Sequence, residues 1–141
     1  MLNVKLVCVG TLREAFLRDA VKEYEKRLQA YCKLTTVELK EDSKLPDAVS
    51  GKSYKIALCV EGKQLSSEEL SVLVEDASVR GMGNLTLVIG GADGIPESVK
   101  AMCDYRLSFS KMTFPHQLMR VILLEQLYRA LNISNGGHYH H

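Results

Sequence analysis

The 141-residue chain lacks an excess of charge, a paired cysteine motif and any long apolar run. Its formal net charge is +1, so total charge points to no particular partner. The four cysteines, Cys8, Cys32, Cys59 and Cys103, include no Cys-x-x-Cys pair. Cys8 and Cys59 sit inside apolar runs, where a thiol behaves as a small hydrophobe. This argues against a structural zinc site, and no metal is expected. No stretch approaches the roughly 20 apolar residues that cross a bilayer. The opening MLNVKLVCVG lacks the basic start and cleavage site of a signal peptide. A reduced, cytoplasmic location follows as the expectation, with neither membrane nor DNA as partner. Internal repeats, low-complexity stretches and linkers are also missing. One domain over residues 1–141 is expected, and 46% apolar with 25% charged residues suits a folded core.

What is present alternates between two periodicities. Residues 2–9 are rich in Val and Leu and read as a strand. Leu17, Ala20, Val21, Tyr24, Leu28 and Tyr31 then recur in steps of three and four, one face of an amphipathic helix. Residues 33–40 read as a second strand, and residues 41–53, with Pro46 and Gly51, as a loop or short helical turn. YKIALCV, residues 54–60, is nearly all apolar, as a strand buried on both faces should be. Glu61, Gly62 and Lys63 read as a turn. Ser66 and Glu69 have capping-box spacing ahead of a helix through Leu70, Leu73, Val74 and Ala77. LTLVI, residues 85–89, is a fourth strand, residues 96–102 a short helix and residues 105–109 a fifth strand. Pro115 opens the last helix. Alternating strands and helices imply an α/β fold with a mostly parallel sheet of five or six strands.

In such folds ligands sit where loops leave the C-terminal ends of strands. Three loops qualify: residues 61–63, 90–94 and 110–115. The second, GGADG, is neither a Walker A loop nor a G-x-G-x-x-G fingerprint, so a plain turn and a ligand loop stay open. The third lies within LSFSKMTFPHQLMR, residues 107–120. That segment sets Ser, Lys, Thr, His and Arg among apolar residues just before a helix N-terminus, where backbone N–H groups are free. From Arg106 onward, four basic residues face one acid, Glu125, a net +3 over 36 residues. This is either a phosphate-facing surface or ordinary fluctuation. Val121, Ile122, Leu123 and Leu124 run consecutively, and one helix cannot turn all four to one core. A second protomer or deep burial would each account for them.

VIGGADG, LSFSKMTFPHQLMRVILLEQLYRA and the terminal Tyr139-His140 resemble the RlmH family, SPOUT-class enzymes that methylate N3 of a pseudouridine in 23S ribosomal RNA. LVCVGTL, EYEKRL and EGKQLSSEEL extend the resemblance over nearly the whole chain. It implies a SPOUT-type α/β knot, with a deep C-terminal trefoil forming the S-adenosyl-L-methionine site. The cofactor contacts it implies are Leu58, Gly90, Phe109, Ser110, Lys111, Met112, Thr113 and Phe114. It further implies a homodimer acting on the assembled ribosome. The chain departs from the family in its short polar stretch between the second and third strands, and in its ending His140-His141.

The implied reaction removes a proton from N3 and lets that nitrogen attack an activated methyl group, so positioning dominates. His116, Arg120, Tyr139 and His140 are the candidate catalytic residues. His116 could touch RNA or cofactor, or simply hydrogen-bond a loop. Arg120 could stabilise an anionic uracil oxygen or a phosphate, or form a salt bridge. Tyr139 and His140 could close over the base in the partner protomer, or fray as chain ends do. The rival readings are a SPOUT enzyme acting on transfer RNA and a non-catalytic ribosome- or RNA-binding module.

Overall fold

The computed structural model describes residues 1–137. Five parallel strands form one sheet in the order β2-β1-β4-β3-β5. They are β1 (Leu2–Val9), β2 (Cys32–Leu39), β3 (Tyr54–Gln64), β4 (Asn84–Ile89) and β5 (Tyr105–Ser108). The helices between them are α1 (Ala15–Leu28), α2 (Leu45–Val49), α3 (Ser67–Arg80), α4 (Glu97–Lys100) and, after β5, α5 (His116–Ser134). A 3-10 turn, Asp42–Lys44, precedes α2.

Side chains alternate across the sheet with the two-residue period of a strand. On one face Val4, Leu6 and Cys8 join Ile56, Leu58, Leu85, Leu87, Ile89 and Leu107. Val21 and Leu28 of α1, Leu70 and Val74 of α3, and Leu123, Leu124 and Leu127 of α5 pack onto them. On the other face Val7, Ala57 and Val88 lie beneath Leu45 and Val49 of α2, Ile95, and Val99 of α4. Burial on both faces explains the unbroken apolar run expected of β3: Ile56, Ala57 and Leu58 are all buried.

Local chemistry sets the helix starts. Ser66 Oγ accepts from the Glu69 amide at 3.1 Å while Glu69 Oε1 accepts from the Ser66 amide at 2.8 Å, completing the box read from spacing. Gly81 caps the end of α3, and the close approach there admits only glycine, since a Cβ would lie 2.1 Å from the Asn84 carbonyl oxygen. Pro115 caps α5 rather than opening its first turn, with backbone at φ −53°, ψ 137°.

One reading of the sequence changes. Residues 61–63 are not a turn; β3 runs on to Gln64. Leu107 of β5 is the register partner of both Leu58 and Lys63, so residues 59–62 bulge out of the ladder. Gly62 makes this possible, since a Cβ there would stand 2.7 Å from the Leu107 carbonyl carbon. The consecutive apolar residues of α5 divide: Leu123 and Leu124 are buried, while Val121 and Ile122 are partly exposed.

Candidate cofactor site

The C-terminal ends of β3, β4 and β5 open into one cavity of about 330 Å³, within the size range of small-molecule sites. Four parts of the chain wall it: the bulge after Leu58, residues 89–95 at and after the end of β4, Lys100 at the end of α4, and residues drawn from 107–119 at the end of β5 and the start of α5.

Each wall has a local cause. The bulge turns Cys59, Val60 and Glu61 toward the cavity. The β4 loop folds back on itself: Gly91 and Gly94 form an antiparallel bridge, and the Gly94 amide donates to the Gly91 carbonyl at 3.0 Å. Gly90 is fully enclosed by this return. A Cβ there would sit 2.4 Å from the Gly94 carbonyl carbon and 2.6 Å from the Ile95 nitrogen. The β5 loop is braced by its own serines. Ser108 Oγ donates to the Ser110 carbonyl at 3.0 Å, and Ser110 Oγ accepts from the Met112 amide at 2.9 Å. The β1–α1 connection supports the start of α5, where the Arg13 amide donates to Gln117 Oε1 at 3.0 Å. Gly10, at φ +100°, leaves room for His116; a Cβ there would be 3.3 Å from His116 Nε2.

Leu58, Gly90, Phe109, Ser110, Met112, Thr113, Phe114 and His116 therefore meet around one cavity. Lys111 is exposed and does not line it. Arg120 does not line it either. Its guanidinium is buried, with Nη1 2.6 Å from Glu38 Oε2 on β2. Tyr139 and His140 lie outside the described residues.

Sequence reasoning missed the charged rim. Glu61 on the bulge and Lys100 at the end of α4 form an ion pair that lines the cavity. The hydrogen bond from Lys100 holds the Glu61 carboxyl below its ordinary value. Burial and the adjacent Glu61 push the Cys59 thiol up. Glu61 stood in a loop singled out from sequence, but its partner is 39 positions away and has no spacing signal. Carboxylates outside the segment meet two of the three excess C-terminal charges, Arg106 pairing with Glu97 and Arg120 with Glu38, while Arg129 pairs with Glu125 within it.

A parallel α/β sheet whose last three strand ends enclose such a cavity defines a class. The fold is that of a probable methylase family protein from Haemophilus influenzae Rd KW20 (TM-score 0.66, 12% identity, 98% of this chain and 70% of that one). It is also that of the SpoU methyltransferase AviRb from Streptomyces viridochromogenes, solved in complex with the cofactor AdoMet (TM-score 0.52, 10% identity, 95% and 58%). At these identities the likeness shows the fold alone. The family model described as "Predicted SPOUT methyltransferase" matches residues 2–140, and the chain belongs to that family, within its ribosomal RNA large subunit methyltransferase H group. The relative of that name from Clostridium novyi is 48% identical over 159 aligned positions, covering 99% of both chains. An alignment of 159 positions against 141 residues leaves at least 18 positions of that relative without a counterpart here. Among the described residues no helix is long and apolar enough to cross a membrane.

Proposed function

We propose that this methyltransferase modifies large-subunit (23S) ribosomal RNA at N3 of a pseudouridine, using S-adenosyl-L-methionine in the cavity at the ends of β3, β4 and β5. The observation that carries the reading is the convergence of Leu58, Gly90, Phe109, Ser110, Met112, Thr113, Phe114 and His116 on that one cavity. Its chemistry fits the cofactor. Apolar side chains from Leu58, Ile95 and Leu107 can cover a nucleobase. The backbone at Gly90 stands where no side chain fits, and Glu61 and Lys100 supply charge at the rim. The name of the Clostridium novyi relative supports the RNA class.

When bound, the cofactor supplies a methyl group already activated on a sulfonium. The chain's own task is to hold the base and manage one proton. The His116 imidazole, on the cavity wall, takes the N3 proton. Arg120, tied to Glu38, anchors the first turns of α5 on β2 and so positions His116. Tyr139 and His140 complete the site from the partner protomer of a homodimer. The half-exposed Leu118 and Ile122 of α5 give that partner an apolar contact. Membership of the SPOUT family supports a deep trefoil knot in the C-terminal half, in a single domain of a cytoplasmic enzyme.

Calorimetric titration with S-adenosylmethionine or its demethylated product tests the reading, on wild type and Gly90→Arg. About one ligand per protomer, lost in Gly90→Arg, is expected. Methyl transfer to undermodified 70S ribosomes and not to transfer RNA is expected next. Folded wild-type protein that binds neither ligand would overturn the proposal.

A further inference from the structure

The second face of the sheet is only half covered. Toward the C-terminal ends of the strands, Val7, Ala57 and Val88 are closed over by α2 and α4. Two and four residues earlier, on the same face, the strands carry Lys5 and Asn3, Thr35 and Lys33, and Thr86 and Asn84. With residues 50–53 they line a groove of about 340 Å³, and among the described residues no helical residue lines it.

Its chemistry has one sign. Lys5, Lys33 and Lys52 line it, with Thr35, Ser53 and Thr86 between them, and among the described residues no Asp or Glu does. The ion pairs found among the described residues include none of these lysines. Lys5 is fixed in place, with Nζ donating to the Ala48 carbonyl at 2.6 Å. Ser53 and Thr86 share a hydroxyl–hydroxyl hydrogen bond of 2.8 Å. On the adjacent β3, outside the lining of the groove, the Asp104 carboxylate accepts from the Lys55 amide at 2.8 Å. By contrast, the arginines near the C-terminus already hold carboxylates.

We infer that this groove takes phosphate groups of the RNA backbone at a distance from the base being methylated. The inference rests on the RNA-methylation reading. Lysines act as point charges for phosphate and carry no base code. Among the described residues no aromatic side chain lines the groove to stack a nucleobase, so a free nucleotide is poorly matched and a backbone well matched. The groove lies at the N-terminal ends of β1, β2 and β4, the cavity at the C-terminal ends of β3, β4 and β5. β4 lines both, the groove through Asn84 and the cavity through Ile89, and a strand of six residues spans about 20 Å at roughly 3.3 Å per residue. One substrate reaching both places must be several nucleotides long and folded, as ribosomal RNA is. The groove also supplies what the near-neutral total charge does not, a local field for a polyanion.

The test is the Lys33→Glu/Lys52→Glu variant. Both residues are exposed and outside the cofactor cavity, and Lys5 is left to hold Ala48. Methyl transfer to undermodified ribosomes is measured against salt, with cofactor affinity by calorimetry and mass by sedimentation. The expected result is a KM raised on the order of ten-fold, with a salt slope lowered by about 2. The kcat and cofactor affinity should be unchanged. Unchanged KM and slope overturn the inference. So does a change of oligomeric state, which would make the groove a contact between copies. Calorimetry with inorganic pyrophosphate supplies a third arm. Tight binding lost in the variant, with ribosome KM unchanged, assigns the groove to a small phosphorylated ligand instead. Should wild type bind cofactor yet methylate no ribosome, the functional proposal fails by itself. Salt-dependent binding of a 23S fragment by wild type and variant then still decides the groove.

Discussion

Arg120 of α5 and Glu38 of β2 form an ion pair across one edge of the molecule, Nη1 to Oε2 at 2.6 Å. The two side chains are unequal: Arg120 is 9% exposed and Glu38 39%. Arg120 Nε is buried without a hydrogen-bond partner, so Glu38 carries most of the compensation for a buried charge. Removing one member of a fully buried pair costs about 3–5 kcal/mol. Water reaches Glu38, so Glu38→Leu should cost roughly 1–3 kcal/mol. Adding Arg120→Met should return part of that loss, because no lone charge remains. Urea denaturation of the two single variants and the double variant decides it. Losses that simply add would show that the pair is not coupled.

Two glycines of the β4 loop should respond differently. A Cβ on Gly90 would collide with backbone at Gly94 and Ile95, at 2.4 and 2.6 Å. Neither contact is a flexible side-chain end, so the loop must move. Gly90→Ala should weaken cofactor binding at least about ten-fold and cost roughly 1–3 kcal/mol of stability. Gly94 has open space around a Cβ and a φ of +79°. Gly94→Ala should therefore cost only about 1–2 kcal/mol of backbone strain and leave most of the affinity. Calorimetry and thermal unfolding of both variants separate the two effects. Equal loss of binding would refute the distinction.

Much of this site was legible because its parts are local. Gly90 follows an apolar strand, and Ser110, Lys111 and Thr113 precede a helix that His116 opens. Such signals survive without knowing what packs on what. The full cofactor set, Leu58 included, came from the resemblance to the RlmH family and not from these local patterns. Arg120 shows the limit. From sequence it was equally a phosphate ligand or a salt-bridge partner, and only the β2–α5 contact places Glu38 against it. The β3 bulge was hidden for a similar reason. Glu-Gly-Lys has turn composition, yet Leu107 on a distant strand pairs on both sides of it. The lysine groove was invisible because its residues come from three strands and a loop, each unremarkable alone. Their common face exists only once β1 lies between β2 and β4.

The Glu61–Lys100 pair gives the protein an acid-sensitive element beside the cavity. Lys100, whose side chain is 14% exposed, holds the Glu61 carboxyl below its ordinary value of 4.5 by hydrogen bonding. A depressed folded value means the carboxylate stabilises the folded state above pH 4.5. That contribution fades as the pH falls through the lower folded value. Carbon-detected titration should find Glu61 below an ordinary glutamate. Glu61→Gln should lower stability in the neutral region, where the carboxylate contributes, and leave the acid end little changed, so that the acid limb of the profile flattens. A carboxyl titrating at or above 4.5 would contradict the pair.

The four thiols should label in an order set by burial, and one of them should report on the cavity. Burial pushes Cys8 and Cys32 up to about 11, leaving almost no thiolate at pH 8. Both side chains are also buried, so native protein should leave them unmodified by iodoacetamide. Cys59 and Cys103 are partly exposed. Both should react, but more slowly than free cysteine, since burial raises them as well. Cys59 lines the cavity and Cys103 does not. Saturating S-adenosylmethionine should therefore slow labelling of Cys59 several-fold and leave Cys103 unaffected. Peptide mass spectrometry over a time course reads all four sites at once. Protection of Cys103 without Cys59 would place the ligand outside the cavity at the ends of β3, β4 and β5.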